Sequence, residues 1–166
     1  MNEEWLPLCD EEGNISGKEL RSVCHNGKSM LLHPVVHLHV FNGDGALFLQ
    51  KRAMHKDVQP GRWDTAVGGH VDPGESIEEA LLRESSEELG LEGFGYELLR
   101  KYTWESDVER ELVHSFKCTI ASQPVIDTSE VDEGRFWTVN EIKKSIDKEI
   151  FTPNLQYELK EILRII

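Results

Sequence analysis

The segment from Gly69 to Leu91, GHVDPGESIEEALLRESSEELGL, constrains this chain more than any other. Pro73-Gly74 makes a turn, and Ser76 with Glu79 three residues on has capping-box spacing, in which each side chain satisfies the other's free backbone N–H. The spacing predicts a helix from about Ser76 to Leu89, ended by Gly90, since glycine suits the left-handed position just past a helix. Its apolar face is Ile77, Ala80, Leu81 and Leu82. On that helix Glu84, Glu87 and Glu88 stand at i, i+3 and i+4, so three carboxylates share one face. Like charges so placed repel by roughly 0.2–0.5 kcal/mol per pair. A solvated acidic face is one reading. The other is a hard-cation site, because carboxylate oxygens suit Mg²⁺ or Mn²⁺, ions that keep some water and bridge to substrate phosphates.

The flanks of this segment supply strands. Trp5–Cys9, an acidic turn at 10–14, and Ile15–Gly17 read as a short hairpin, followed by a helix or loop near Lys18–Cys24. In Val35–Phe41, Val36, Leu38 and Val40 alternate with His37 and His39, a strand period. Asn42-Gly43-Asp44-Gly45 turns the chain into Ala46–Lys51, its partner strand. Pro60-Gly61 precedes Trp63–Val67. Further strand-like stretches lie near Tyr96–Trp104, Leu112–Ile120 and Arg135–Trp137. Thr138 with Glu141 opens a helix over about 139–150. Thr152-Pro153 opens another over 153–166, with Leu155, Leu159, Ile162, Leu163 and Ile166 as an apolar stripe. Strands with helices between and after them indicate an α/β or α+β class with one layered core. No linker divides the 166 residues, so a single domain is expected, with residues 1–30 as an N-terminal hairpin and loop extension.

Charge narrows the partners. Lys plus Arg is 18 against 31 Asp plus Glu, a formal charge of −13. Such a balance opposes non-specific binding to nucleic acid, which rests on neutralising phosphates. An anionic small molecule remains compatible if a bound cation reverses the local field. Cys9, Cys24 and Cys118 show no paired spacing, which suggests reduced thiols and a cytoplasmic setting. The acidic N-terminus lacks signal-peptide character, and no apolar run has membrane-spanning length, so no membrane partner is expected.

The Gly69–Leu91 segment also resembles the Nudix box, G-x5-E-x7-R-E-U-x-E-E-x-G-U, with U a bulky apolar residue. Gly69, Glu75, Arg83, Glu84, Glu87, Glu88, Gly90 and Leu91 all match. Seven fixed identities at roughly 7% usage each would coincide at about one in 10⁸ positions. Ser85 departs from the pattern, standing where the family has an aliphatic residue, and is expected to loosen helix-to-sheet packing. The resemblance implies a Nudix-type α/β/α sandwich with a mixed sheet and a catalytic carboxylate helix. It implies that Glu84, Glu87 and Glu88 bind a catalytic Mg²⁺ or Mn²⁺ near the Gly69 carbonyl. Arg83 and Glu75 would orient the helix or the diphosphate.

The likeness extends to LFLQKRAMHKDVQPGRWDTAVGGH before the box, which looks like the Nudix branch of type I isopentenyl diphosphate isomerases and related hydrolases. That resemblance implies a second metal set, His25, His33, His70, Glu109 and Glu111. It also implies basic positions holding a diphosphate at Arg21, Arg52, Lys56 and Arg83, with Trp137 facing the substrate. Guanidinium and ammonium groups suit phosphate oxygens. Yet Gly68 occupies the position where the isomerases carry a cysteine that takes part in proton transfer, and glycine has no proton to give. Hydrolysis of a diphosphate is therefore the preferred reading, with Glu84, Glu130 or Glu133 as candidate bases. An isomerase, a catalytically silent nucleotide-binding sensor and an acidic interaction domain are the other readings. The N-terminal hairpin and the C-terminal helix either pair two copies as a homodimer or cover the sheet.

Overall fold

The computed structural model describes residues 3–166, so the first two residues of the N-terminal extension lie outside it. Trp5–Cys9 (β1) and Ile15–Leu20 (β2) form the expected antiparallel hairpin. Its turn is closed by Asp10, whose carboxylate accepts from the backbone N–H groups of Glu12 and Asn14. Strand pairing continues through Leu20, so only Arg21–Cys24 (α1) is helical where the sequence suggested a longer helix or loop. Seven strands build the main sheet: Leu32–Phe41 (β3), Leu47–Arg52 (β4), Trp63–Thr65 (β5), Val67–His70 (β6), Glu97–Glu105 (β7), Arg110–Thr119 (β8) and Val131–Trp137 (β9). The box helix, Ile77–Leu89 (α2), lies between β6 and β7 in the chain.

The sheet is mixed. β3 pairs in parallel with β8 along its whole length, from Leu32 opposite Arg110 to Phe41 opposite Thr119. It meets its sequence neighbour β4 only at Val40 and Phe41. The β3 edge that β4 leaves is taken by β6, which sets Gly68 opposite His37 and His70 opposite Val35. β4 turns away to pair with β5 and β9.

Two apolar clusters lie on the two faces. Val36, Leu38 and Val40 meet Ala80, Leu81 and Leu89 of α2. On the other side Leu47, Leu49, Trp63 and Trp137 meet Ile142, Phe151, Leu155 and Leu159. A strand covered on both faces has no solvent side, and this is why His37 and His39, which alternation placed as polar positions, are buried. Leu82, assigned to the apolar face of α2, is instead 42% exposed. Ser85 does not loosen the packing, because its hydroxyl is buried and donates to the Leu81 carbonyl at 2.6 Å.

The C-terminal helices are shorter than their periodicity suggested. Val139–Ser145 (α3) keeps the capping box of Thr138 and Glu141 but tightens to a 3₁₀ turn at Ile146–Lys148 instead of reaching Ile150. Pro153–Tyr157 (α4) widens into a π turn at Glu158–Ile162 instead of continuing to Ile166. Leu155 and Leu159 of the apolar stripe are buried against the sheet, while Ile166 at its end is exposed. 3₁₀ turns are frequent at helix ends, and π turns are rare and frequently mark functional positions; Glu158, fully buried, faces His37 and His39. The hairpin packs on the body too, with Cys9 against Leu32 and Leu112. Each of these two segments thus packs in part on its own domain, with Trp5, Ile15 and Ile166 left exposed. Among the described residues no helix is long and apolar enough to cross a membrane.

Candidate functional site

The carboxylate helix is set by its ends. Ser76 Oγ accepts from the Glu79 N–H at 3.1 Å, and Glu79 Oε2 accepts from the Ser76 N–H at 2.8 Å. Gly90 closes the helix with φ of 63°. Arg83 then ties it to the end of β6. Its guanidinium donates to both oxygens of Glu75 at 2.8 and 3.0 Å, to the His70 carbonyl at 3.0 Å and to Glu84 Oε1 at 2.9 Å. This fork holds the Glu75 carboxyl below the ordinary carboxylate range. The box pair Glu75 and Arg83 is therefore a brace between helix and sheet.

Gly69 is glycine because Glu84 presses on it. A Cβ at position 69 would lie 2.5 Å from Glu84 Cγ and nearer still to the carboxyl carbon and Oε1. Glu84 is raised above its usual value, chiefly by burial. Glu88 is more extreme: burial first, then the neighbouring charge of Glu84, pushes it up to about 8. Its Oε2 accepts from the Gly68 N–H at 3.3 Å and from Gln50 Nε2 at 3.2 Å. Glu87 is 60% exposed and meets Arg83 at 3.4 Å. Together with Asp127 and Glu130 these three glutamates line an open pocket of about 310 Å³.

Gln50 and Asp127 were not singled out from the sequence. The Gln50 signal lay in register: it follows Leu49 on β4, and alternation turns it toward α2. Asp127 and Glu130 belong to a polar loop whose closeness to α2 is a tertiary fact, made by the Asp127 N–H bonding the Glu88 carbonyl at 3.2 Å. Lys56 pairs with Glu130 at the pocket rim. Arg52 is braced by Asp64 at 3.2 Å and by the Val58 carbonyl at 2.9 Å. Arg21, in contrast, sits beside the hairpin, exposed and paired with Glu4 at 3.5 Å.

The second set of predicted ligands comes together from four segments. His25, His33, His70, Glu109 and Glu111 each offer one ligand atom, all within 4.8 Å of one another. The imidazole centroids are 5.1–5.5 Å apart. His25 Nε2 is 2.9 Å from Glu109 Oε2. His33 Nδ1 bonds the Leu31 carbonyl at 2.9 Å, which assigns its proton to that nitrogen and leaves the Nε2 lone pair facing the group. That Nε2 is buried and has no hydrogen-bond partner. Burial lowers His33 to about 4, so the imidazole is neutral and able to ligate. Burial, with Glu109 beside it, raises Glu111 to about 8. An orphaned imidazole nitrogen facing two carboxylates is the donor set of a divalent transition-metal ion, and these residues fit one.

Trp137 requires a correction. Expected against the substrate, it is 5% exposed and stacks edge-on with Trp63 at 5.0 Å and Phe151 at 5.6 Å. It belongs to the core on the far face of the sheet, with Arg135 over its ring at 3.8 Å. Trp104 is the tryptophan on the side of Glu111, its register partner on β8, and packs against Tyr157.

Comparison with known proteins agrees with this geometry. A family model described as the NUDIX domain matches residues 31–155. An uncharacterized Nudix hydrolase of Yersinia pestis is 29% identical over 151 residues, which cover 91% of this chain and 81% of that protein. An isopentenyl-diphosphate Delta-isomerase of Kocuria rhizophila is 38% identical over 89 residues, 54% of this chain and 49% of the isomerase. This chain thus aligns with only about half of the isomerase. Among solved structures, the crystal structure of DR0079 from Deinococcus radiodurans superposes with a TM-score of 0.81 at 22% identity, covering 97% of this chain and 100% of that one. At that identity the likeness shows the fold.

Proposed function

Because the chain belongs to the Nudix family, we propose that it hydrolyses a diphosphate linkage, in a nucleoside diphosphate derivative or a related diphosphate, with Mg²⁺ or Mn²⁺ as cofactor. The observation that carries this reading is Glu88, a buried carboxylate pushed up to about 8 in a pocket lined only by carboxylates. Arg83 reaches Glu84 and Glu87, and Lys56 reaches Glu130, but no Lys or Arg pairs with Glu88 among the described residues. Such a cluster of oxygens suits a hard divalent ion. Glu84, Glu87, Glu88 and the Gly69 carbonyl would hold it. When bound, the ion neutralises phosphate charge and lowers the pKa of a water molecule.

The chain's own groups divide the remaining work. Arg83, braced by Glu75, keeps the helix against the Gly69-His70 backbone. Lys56, paired with Glu130 at the rim, and Arg52 supply cations for phosphate oxygens in a chain whose formal charge is −13. Glu130 or Glu84 takes the proton of the attacking water; Glu133 lies on β9, opposite Lys51, and does not line the pocket. A small-molecule substrate suits this arrangement better than a nucleic acid, whose binding needs an extended basic surface.

The converging histidines and glutamates favour a second reading, isomerisation of a prenyl diphosphate, with a transition metal at His25, His33, His70, Glu109 and Glu111. Gly68 weighs against it, since it leaves that chemistry without its cysteine. One experiment tests both. Nucleotide sugars, dinucleotides, nucleoside di- and triphosphates and isopentenyl diphosphate are incubated with Mg²⁺ or Mn²⁺, and phosphate release and isomer formation are measured. The expected result is metal-dependent release from one class, lost in Glu88→Gln. Release that persists in Glu88→Gln would sink the carboxylate-helix assignment, and conversion of isopentenyl diphosphate to its isomer would establish the second reading.

A further inference from the structure

On the face of β3 that carries His33, two imidazoles, His37 and His39, have no part in the sites above. His37 Nδ1 lies 3.1 Å from Oε2 of Glu158, which is fully buried. The same oxygen is 3.0 Å from His39 Nε2 and 3.5 Å from Thr65 Oγ1. The contact with Glu158 assigns the Nδ1 proton of His37 and fixes the plane of its ring. Its other nitrogen points the opposite way. His37 Nε2 makes no hydrogen bond among the described residues, and the His37 side chain keeps 11% of its surface exposed where that of His39 keeps none.

Gly68 is what leaves that edge open. A Cβ at position 68 would lie 3.6 Å from His37 Cδ2 and 3.8 Å from Nε2, so any side chain there would sit against the imidazole. The N–H of the same glycine donates to Glu88 Oε2. One backbone residue therefore stands between His37 and the carboxylate helix. His39, which is enclosed entirely, is accounted for by its contact with Glu158. That contact does not explain a second imidazole whose free edge lies against Gly68.

We propose that His37 is a further substrate-contacting residue, a charged N–H donor to the oxygens of the diphosphate, with Glu158 as the buried residue that positions it. This rests on the diphosphate reading above. Burial opposes its protonation, but the Glu158 carboxylate, with the charges of Asp64 and Glu111 adding to it, holds His37 up to about 9. The imidazolium is therefore the form present at neutral pH. A short, rigid donor of this kind complements the longer Arg52 and Lys56, because its direction is set before substrate arrives.

The test uses the full chain with inorganic pyrophosphate and Mg²⁺ as probe. Affinity is measured by calorimetry, and the ring nitrogens are followed by ¹⁵N-histidine spectra. Gly68→Ala covers the His37 edge without disturbing its pair with Glu158, and His37→Gln removes the charge. Each is expected to weaken pyrophosphate binding about 10- to 100-fold, the range of one charge-assisted hydrogen bond. In the wild type, pyrophosphate shifts the Nε2 signal of His37. In Glu158→Gln that ring becomes neutral at pH 7 and the shift is lost, which a purely structural glutamate would not cause. Equal affinity in the wild type, Gly68→Ala and His37→Gln would overturn the assignment while leaving the diphosphate reading intact. An unshifted His37 in a wild type that binds would do the same. A wild type that binds no pyrophosphate with any divalent ion would overturn both.

Discussion

Substituting Gly69 by alanine tests whether close approach of β6 and α2 builds the metal site. The new Cβ would stand 2.5 Å from Glu84 Cγ, and closer to the carboxyl group. Carbon atoms rest at about 3.5–4.0 Å, so Glu84 has to retreat by about 1 Å. It cannot do so freely, because Arg83 holds Oε1 at 2.9 Å and the side chain is only 14% exposed. Ligand positions in metal sites tolerate about 0.2 Å, and a misplacement of about 1 Å at a reacting centre costs on the order of 100-fold in rate. Overpacking of this size costs about 1–3 kcal/mol of stability, and less if Glu84 moves toward the open pocket. The expected outcome is a folded protein whose metal-dependent hydrolysis falls about 100-fold and whose Mn²⁺ affinity, read by electron paramagnetic resonance, falls with it. Gly17→Ala, where a Cβ meets nothing within 4 Å, serves as control for the loss of a glycine. Activity within twofold of wild type in Gly69→Ala would refute the reasoning, since the clash would then have been absorbed away from the ligands.

Three further outcomes follow from the same geometry. Glu75→Gln removes the charged partner of Arg83 and should lower stability at neutral pH by roughly 1–3 kcal/mol. Because the Glu75 carboxyl is held below its unfolded value, that contribution is present above about pH 4.5 and lost as pH falls through the folded value. Urea denaturation should therefore separate the two proteins at pH 7 and bring them together near pH 2. Ser85→Ala should be nearly neutral, since the Leu81 carbonyl keeps its helical partner, whereas Ser85→Leu should cost about 1–3 kcal/mol by overpacking a fully buried position. Thermal melts that rank them the other way would contradict the packing described. Finally, His33→Ala removes the imidazole nitrogen that faces Glu111, and Zn²⁺ or Mn²⁺ binding at the histidine group should weaken at least tenfold by calorimetry while Mg²⁺-dependent hydrolysis changes less. Unchanged transition-metal affinity would mean that the group holds none.

What the sequence made legible was local or motif-borne. The capping boxes at Ser76 and Thr138, the Gly90 stop and the Asn42–Gly45 turn depend on neighbours within a few residues, and each forms as its spacing predicts. The five candidate ligands around His33 lie in four separate segments, and the residues that the family resemblance groups converge to within 4.8 Å. Periodicity failed where tertiary contact decides. The stripe from Leu155 to Ile166 reads as one amphipathic helix because a buried Glu158 is invisible to a count of apolar positions. Its partners His37 and His39 sit 121 and 119 positions away and were read only as the polar half of an alternating strand. Those two errors are one error, and its cause is physical. A covered sheet face turns an alternating strand into a fully buried one, and the cover itself must then meet any polar group it buries. Trp137 fell to the same cause, since the chain that encloses it, Phe151 to Leu159, is the segment whose docking periodicity could not place. The reading that pairs Glu158 with His37 therefore stands or falls on tertiary evidence, and the Gly68→Ala measurement addresses it without altering either partner.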